Sequence, residues 1–433
     1  MVIQSAGVLK ALRQEAVALF RDGVAAANPE HAVSAALLER SELLERASRI
    51  ILVAFGKAAC SMTRAALPFV RDKLERAIAL TNHENIDPID GVQVITGGHP
   101  IPDQGSIAGA AAIENAVAGA RDGDLVLVLV SGGGSALLCS PPLGIELADK
   151  IALNKVLVHS GADIGEINSV RPLFSRLKGG QLARLAGKAR VLSLILSDVR
   201  GDKVSAIASG PTAMPDVSAR RAVEVLDKYG LRPKLTTALN CRLDEFQAVP
   251  DEAAYDFDNV ENVIVGSNLI SQRRVADKAR IRFHSVVHPN DWLCGDVLAA
   301  AATLHKRART AAEHNAPVAL VFGGETTVKV RGSGTGGRNQ ELALCFALLN
   351  EHLPIRRPWV FLSGGTDGLD GPTDSAGGIV DVGSLDRMQK TGLDPLGSLE
   401  NNDSYRALAG SGDLLITGAT GTNVADIQIV LMR

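Results

Sequence analysis

The sequence predicts an α/β protein with a mostly parallel sheet, divided into an N-terminal and a C-terminal α/β domain. Short aliphatic runs recur seven times, and each run stops at a loop of Gly, Ser, Thr, Asn or Asp residues. Helical stretches of about ten to twenty residues separate these runs, which is the pattern of βαβ units. The length of 433 residues exceeds a comfortable single core, and 46% hydrophobic residues supply enough apolar surface for two.

The N-terminal domain is predicted over residues 1–245. Apolar residues at helical spacing predict a first helix around 8–20, and a second helix is predicted over 29–48. Buried-type strands are predicted at IILVAF (50–55), LVLVLV (125–130) and VLSLIL (191–196). In a parallel sheet the carboxyl ends of these strands form one edge, where open α/β sheets bind their ligands.

The C-terminal domain is predicted over residues 255–433. Its strands are predicted in the segments NVIVGSN, VALVFGGETT, PWVFLSGGTDG and DLLITGATGTN. The stretch VKVRG (328–332) predicts part of a hairpin. The boundary between the domains is predicted at 242–261, which is acidic, contains a proline and lacks apolar periodicity.

Composition and charge exclude several classes of function. The net charge is −3 and no Lys/Arg cluster forms a basic stripe, so no nucleic-acid partner is expected. The longest aliphatic run has six residues, which is far too short for a membrane span, and the N-terminus lacks the apolar block of a signal peptide. The five cysteines are scattered without metal-binding spacing, which predicts a cytoplasmic protein.

A glycine loop after the strand at 125–130 is the first candidate binding element. Glycines let backbone N–H groups approach an anion, and serine hydroxyls add donors. The loop comprises Ser131, Gly132, Gly133, Gly134 and Ser135. Lys57 follows the first strand and offers a charge to phosphate or carboxylate. The loop is neither a Walker A motif nor a GxGxxG fingerprint, and a tight turn without a ligand is the alternative.

Polar residues elsewhere in this domain add further candidates. Asp198 follows the strand at 191–196, where a general base or a phosphate anchor is expected and an Asx turn is the alternative. Asn168 and Arg171 are expected just before a helix, where they could meet an anion, with Lys178 on the same helical face as Arg171. His99 in an extended loop is equally consistent with ligand contact and with a structural turn.

The segment 323–344 is the densest stretch of the C-terminal domain. Glu325 projects after a strand, Thr326 follows it, and Arg338 begins a helix behind six small residues. An arginine is unfavourable at the N-terminus of a helix because the dipole there is positive, so its position predicts an anion nearby.

Three carboxylates, Asp367, Asp370 and Asp374, lie among glycines and could hold Mg²⁺, although aspartate also simply favours turns. The chain has no GxSxG, no HExxH and no Cys/His metal cluster. The remaining set of charged groups suits phosphoryl transfer, in which positioning and charge stabilisation do most of the catalysis. This set consists of Lys57, Arg171, Asp198 and Arg338.

A series of motifs runs in order through nearly the whole chain. The segments are GKAA (56–59), HPIPD (99–103), SGGGSALL (131–138), INSVR (167–171), SRLKGG (175–180), LSDVRGD (196–202), ASGPT (208–212), GSN (266–268), GGETTV (323–328), GGRNQELAL (336–344), GTDGLDGPTDSAGGIVD (365–381), NDSY (402–405) and TGTNVADI (420–427). By these motifs the chain resembles the glycerate 2-kinases of the MOFRL family, whose members often carry the label hydroxypyruvate reductase in genomes.

The resemblance implies a Rossmann-like N-terminal domain and a smaller α/β C-terminal domain, with the active site in a cleft between them. It also implies ATP- and Mg²⁺-dependent phosphorylation of D-glycerate to 2-phosphoglycerate. It implies catalytic roles for Lys57, Asp198 and Arg338. From the residues themselves we expect a substrate- and phosphate-binding set and assign no residue as a metal ligand. The expected set is Ser131, Gly132, Gly133, Gly134, Ser135, Asn168, Arg171, Glu325, Thr326 and Asp367. D-glycerate and ATP are the expected partners, and a homodimer is a candidate assembly.

The sequence departs from the family at two places. Pro172 and Leu173 stand where members often carry a Lys–His pair, which puts one anion contact in doubt, and Lys203 replaces a second acidic residue. Two other functions compete with the kinase. An NAD(P)H-dependent hydroxypyruvate reductase predicts a GxGxxG loop, which 131–135 is not. A non-catalytic sugar-phosphate-binding protein predicts a DNA-binding or partner module, and none stands out.

Overall fold

The computed structural model describes residues 2–214, 219–248, 257–289, 291–314 and 316–433. The chain forms two compact units. The N-terminal unit is Pro29–Val265, and the C-terminal unit combines Met1–Asn28 with Gly266–Arg433. Each unit is built on one sheet with helices, so the predicted fold class is confirmed.

Two sheets contain the strands, which together hold the apolar runs seen in the sequence. The strands are β1 Ile50–Phe55, β2 Leu74–Asn82, β3 Gln93–Gly97, β4 Leu125–Val130, β5 Arg190–Ser197, β6 Val260–Ser267, β7 Ser285–Val287, β8 Trp292–Asp296, β9 Val318–Thr327, β10 Trp359–Gly365, β11 Gly377–Asp381, β12 Leu414–Leu415 and β13 Asp426–Met432.

The helices fill the connections between these strands. They are α1 Val2–Ala26, α2 Pro29–Leu38, α3 Ser41–Arg46, α4 Ala59–Val70, α5 Gln104–Ala118, α6 Gly134–Leu137, α7 Leu147–Val158, α8 Ile164–Val170, α9 Gln181–Leu185, α10 Ala219–Lys228, α11 Thr237–Ala248, α12 Asn268–Ala279, α13 Val297–Ala311, α14 Arg338–His352, α15 Ser384–Lys390, α16 Pro395–Glu400 and α17 Ser404–Ser411. None of the helices in the described part of the chain is both long and apolar enough to span a bilayer.

The sheet of the N-terminal unit has the order β3-β2-β1-β4-β5-β6. The pairings of β1 with β2 and β4, of β2 with β3 and of β4 with β5 are parallel. This is the strand order of the Rossmann fold, in which the chain changes direction across the sheet between β1 and β4. Ligands of such sheets bind beyond the carboxyl ends of the strands at this switch point.

Alternate residues of the central strands pack on opposite faces of this sheet. Ile50, Leu52 and Ala54 belong to the core on one face, and Val53 and Phe55 belong to the core on the other. A strand buried on both faces needs an apolar residue at every position, which explains why the run Ile50–Phe55 is uninterrupted. The predicted bounds of β1 and β4 are therefore confirmed to the residue.

The sheet of the C-terminal unit is mixed, so the expected parallel arrangement does not extend to it. Its order is β12-β11-β10-β13-β9-β7, with β8 paired to β9. β13 is antiparallel to both of its neighbours, β9 and β10. The carboxyl ends of β9 and β10 consequently meet the beginning of β13 at one edge, where Asp426 pairs with Gly324 and Gly365.

Helix α1 packs in the C-terminal unit, whereas the sequence prediction placed it in a domain over residues 1–245. Leu12 and Phe20 of α1 share a core with Val275 of α12 and with the sheet. Arg13 forms ion pairs with the buried Asp381 at 2.7 Å and the buried Asp413 at 2.9 Å. Helical periodicity shows that α1 has an apolar face but not which sheet that face covers, so the sequence could not reveal this packing.

Several local predictions also differ from the structure. The helix predicted over 29–48 is two helices, α2 and α3. The boundary segment 242–261 begins inside α11 and ends inside β6, and its residues 249–256 lie outside the described part. Residues 328–337 form no hairpin, because their backbone bonds are made to another loop, as described below.

Candidate active site

The loop 131–135 and Lys57 are joined at the switch point of the N-terminal sheet. Phe55 pairs with Val130, so the segments that follow β1 and β4 lie side by side. The Lys57 N–H donates to the Gly132 carbonyl at 2.9 Å, and the Ala58 N–H donates to Ser131 Oγ at 3.0 Å. Gly56 has φ of 123°, and a β-carbon there would lie 2.2 Å from Ser131 Oγ. Only glycine therefore allows this close approach.

Asp198 and His99 flank the same loop. A β-carbon at Gly132 would lie 2.4 Å from Asp198 Oδ2, and one at Gly133 would lie 3.0 Å from His99 Cδ2 and 3.4 Å from Lys57 Cγ. Asp198 comes directly after β5, as predicted. Burial, together with the charge of Lys57, lowers the pKa of His99, so the imidazole is neutral at pH 7. The structure thus assembles an acid, a cation and a neutral imidazole around two glycines.

The helix that begins at the end of this loop is very short. α6 spans only Gly134–Leu137, a single turn. The dipole of one turn contributes little, so the charge for an anion here must come from side chains.

Asn168 and Arg171 lie at the C-terminal end of α8, not before a helix as predicted. Arg171 Nη1 donates to Asn168 Oδ1 at 3.2 Å, and burial lowers the pKa of Arg171. A 3₁₀ turn over Arg171–Phe174 separates Arg171 from Lys178, so the two do not share a helix. The prediction failed because Pro172 lies in the first turn of a 3₁₀ helix and not of an α-helix.

Arg338 is the centre of an ion cluster in the C-terminal unit. Its Nε and Nη2 donate to the two carboxylate oxygens of Asp426 at 2.6 and 2.8 Å, and its Nη1 lies 3.1 Å from Glu325 Oε1. Asp426 is fully buried, while the Arg338 side chain is 34% exposed. Burial opposes the charge of Arg338, but the bonds to Asp426 outweigh it and raise the guanidinium pKa.

The anion predicted at the start of α14 is a carboxylate of the chain itself. Asp370 accepts the N–H of Asn339 at 3.1 Å and the N–H of Gln340 at 2.8 Å, which caps the helix. Burial raises the pKa of Asp370 to about 6 despite these bonds. The helix N-terminus therefore does not itself call for an external phosphate.

The glycine-rich loop before α14, residues 331–337, also has backbone N–H groups that donate to oxygens of the chain itself. The N–H groups of residues 331, 332, 333 and 335 donate to side-chain oxygens of Asn401, Asn402 and Asp403 at 2.6 to 3.1 Å. The N–H of Gly334 donates to the Asn401 carbonyl at 2.9 Å. These donors are engaged within the unit, so this loop is a scaffold that sets the position of Arg338 and not a phosphate cradle.

The other predicted residues of the C-terminal unit lie around the same edge. Thr326 is buried in β9. Asp367 Oδ1 and Asp426 Oδ1 lie within 3.1 and 3.6 Å of a β-carbon position at Gly365. Asp374 instead accepts from the Tyr405 hydroxyl at 2.8 Å. Asp367, Asp370 and Asp374 therefore have separate partners, and the described residues contain no group of three or more His, Cys, Asp or Glu that could hold a metal.

Comparisons with known proteins cover both units. A family described as Domain of unknown function (DUF4147) matches residues 15–244, and the MOFRL family matches residues 318–426. A D-glycerate 2-kinase of Thermotoga maritima is 38% identical over 98% of this chain and 99% of its own length. A glycerate 2-kinase of Pyrococcus horikoshii is 36% identical over 97% of each chain, and human glycerate kinase is 34% identical over 98% of this chain and 94% of its own. The crystal structure of glycerate kinase from Thermotoga maritima matches with a TM-score of 0.87 and 35% identity, over 98% of this chain and 100% of that one.

The chain belongs to the MOFRL glycerate kinase family.

Sequence reasoning overlooked several residues of this MOFRL glycerate kinase family member. Asp426 was not singled out as the partner of Arg338, although an acid at the start of the apolar run DIQIVLM was a usable signal. Lys150 is buried in α7, and its Nζ donates to the Phe174 carbonyl at 2.8 Å. It gives no local signal, because a lysine within a helix normally lies at the surface. Ser209, buried beside Ser135, gives none either, because its backbone conformation is set by contacts remote in sequence.

The cap of α14 leads to a pH-dependent prediction for this family member. Burial raises the pKa of Asp370 to about 6. Ionising this carboxyl in the folded protein therefore lowers the free energy of unfolding as the pH rises toward that value. The unfolded carboxyl titrates near 3.9, so wild type is expected to lose about 2 kcal/mol of stability relative to Asp370→Asn as the pH rises from 4 to 7. Denaturant unfolding of both proteins across this range measures the difference. If the difference in unfolding free energy between the two proteins did not change with pH, burial would not be raising the pKa of Asp370.

Proposed function

We propose that the protein is a glycerate 2-kinase, which transfers the γ-phosphoryl group of ATP to the 2-hydroxyl of D-glycerate and releases 2-phosphoglycerate and ADP. One observation carries the proposal. The switch point of the N-terminal sheet gathers Lys57, the loop 131–135 and Asp198. It does so in a chain that is 38% identical over 98% of its length to a D-glycerate 2-kinase.

The roles of the N-terminal residues follow from their chemistry. Arg171 and the hydroxyls of the loop 131–135 hold the carboxylate and hydroxyl groups of glycerate. Asp198 orients the accepting hydroxyl and takes its proton as the bond from that oxygen to the γ-phosphorus forms. The bond from the γ-phosphorus to the β–γ bridging oxygen breaks, and its electrons leave with ADP. Lys57 neutralises charge on the transferring group.

Arg338 supplies the second positive charge of the reaction. A guanidinium held at both ends by Asp426 and Glu325 is fixed in orientation, which reduces the reorganisation needed in the transition state. In this proposal the substrate or its phosphate groups are bound beside Arg338 by Glu325, Thr326 and Asp367. The expected location of the active site in a cleft stays a prediction.

Mg²⁺ accompanies ATP in most phosphoryl transfers, held by one or two carboxylates together with the substrate phosphates. The described residues offer no group of three or more acidic, His or Cys side chains that would form a metal site on their own. We assign no protein ligand to the cation and derive no step through it. We propose the cytoplasm as the compartment of the reaction. The five cysteines, all of them free thiols, support this proposal.

Phosphorus NMR of the purified protein with D-glycerate and MgATP tests the proposal. We expect a 2-phosphoglycerate signal that grows in step with ADP. A 3-phosphoglycerate signal would keep the kinase and overturn the assigned hydroxyl. The absence of turnover, combined with NADH oxidation in the presence of hydroxypyruvate, would replace the kinase with the reductase. Light scattering on the same preparation tests the homodimer.

A further inference from the structure

A turn beside the loop 131–135 holds three successive residues in the left-handed region. Ala208 has φ of 49°, Ser209 of 63° and Gly210 of 62°. For Ala and Ser this conformation is strained, so it persists only where the surroundings impose it. Two backbone bonds do so here. The Gly179 N–H donates to the Ser209 carbonyl at 3.0 Å, and the Gly180 N–H donates to the Gly210 carbonyl at 2.7 Å.

The strained conformation directs the Ser209 hydroxyl toward two residues of the proposed substrate site. Ser209 is 1% exposed, and its Oγ lies 2.7 Å from Ser135 Oγ. It also lies 3.5 Å from Asn168 Oδ1, a long contact to an oxygen that accepts from Arg171 at 3.2 Å. With Asn168 Oδ1 as acceptor, Ser209 donates to it and Ser135 donates to Ser209. Ser209 thus connects the loop 131–135 to the end of α8.

Lys178 fixes the same loop from the other side. Its side chain is 4% exposed, and its Nζ donates to the Ser135 carbonyl at 2.7 Å. The charged neighbours of Lys178 are Lys150 and Arg171, with the Cys139 thiol nearby, and burial lowers the pKa of Lys178 to about 7. Burying an ammonium next to two other cations costs stability. Such an arrangement is favourable when an anion binds close by.

We propose that Ser209 and Lys178 are positioning residues that hold Ser135, Asn168 and Arg171 in the arrangement that receives the substrate carboxylate. This inference rests on the proposed function, because it assigns the carboxylate of glycerate to these three residues. Neither Ser209 nor Lys178 touches the reacting atoms. Their effect is on the binding of the carboxylic acid and not on the binding of the nucleotide.

The first test uses Ser209→Gly, which removes the hydroxyl but accepts the left-handed conformation without strain. We expect KM for D-glycerate to rise about tenfold, the effect of losing a buried hydrogen bond in a polar site. KM for ATP and the thermal midpoint should stay close to wild type. Ala208→Gly is the matched control, since it relaxes the neighbouring residue and keeps the hydroxyl, and its KM for glycerate should not change.

The second test uses Lys178→Met, with Lys188→Met at an exposed lysine as its control. Replacing a buried ammonium by an apolar chain of similar length should leave the thermal midpoint unchanged or higher, while KM for glycerate rises about tenfold. Lys188→Met should change neither quantity.

The outcomes distinguish a failure of the proposed function from a failure of the positioning role alone. Wild-type protein that does not phosphorylate glycerate overturns the proposed function and this inference with it. Active wild type with a normal glycerate KM in both Ser209→Gly and Lys178→Met overturns the inference alone. An equal rise of KM in Ala208→Gly would assign the effect to the backbone of the turn and remove Ser209 from the positioning role.

Discussion

Asp198→Asn is expected to lower kcat by about 10²- to 10⁴-fold, the contribution of a general base, with little change in the unfolding midpoint. The amide keeps the shape and the hydrogen-bonding reach of the side chain but cannot take the proton of the accepting hydroxyl. Asp198 follows β5 beside Gly132, and the amide of asparagine occupies nearly the same volume there, so we expect the local backbone to be kept. A coupled assay for ADP measures the loss.

Asp122→Asn provides the matched control for this experiment. Asp122 lies exposed in the turn before β4, so the same change of charge occurs away from the loop 131–135. Its kcat should equal that of wild type. Near-normal turnover of Asp198→Asn would remove Asp198 from the catalytic role and leave it as a residue that shapes the turn.

Arg338→Met is expected to reduce both activity and stability. The activity should fall by about 10²- to 10³-fold, because the proposed mechanism then loses the positive charge that it assigns to the transferring phosphoryl group. The stability should fall by about 2 to 4 kcal/mol, because the substitution leaves a fully buried carboxylate without its counter-charge. Asp426 is that carboxylate, at 0% side-chain exposure. Steady-state kinetics and denaturant unfolding of the same preparation measure the two effects.

The double variant Arg338→Met/Asp426→Asn separates these two effects. Neutralising Asp426 removes the unpaired buried charge, so most of the lost stability should return. The guanidinium is still missing, so the activity should not. Recovery of activity together with stability would show that Arg338 serves the fold and not the reaction.

The central strands of the N-terminal unit could be predicted to the residue, and the candidate site beside them could be predicted in large part. β1 and β4 are buried on both faces, so every position in them is apolar. The apolar run in the sequence therefore ends where the loop begins. The positions of Lys57, Ser131 and Asp198 could be predicted from these strand ends. A polar residue that follows such a strand lies at the edge of a parallel sheet where ligands bind.

The partners of the charged residues could not be predicted in the same way. Arg338 binds Asp426, which is 88 residues further along the chain. The sequence around Arg338 does not indicate this partner. The position of Arg338 behind six small residues predicts a nearby anion. The N–H groups of Gly332, Ser333 and Thr335 instead donate to side chains of the loop at 401–403. Local sequence shows that a loop has donors, whereas tertiary structure decides what accepts from them.

The packing of α1 in the C-terminal unit has a consequence for how the protein is made. Pro29–Val265 is a continuous stretch inserted between the two parts of the C-terminal unit. On the ribosome, this inserted unit emerges complete and can fold while α1, made first, still waits for the strands that follow residue 266. Leu12 and Phe20 on the apolar face of α1 meet the core partners that they have in the folded protein only after those strands are made. The moment of greatest exposure to misassembly therefore precedes the synthesis of the last strand, β13, which closes the core around it.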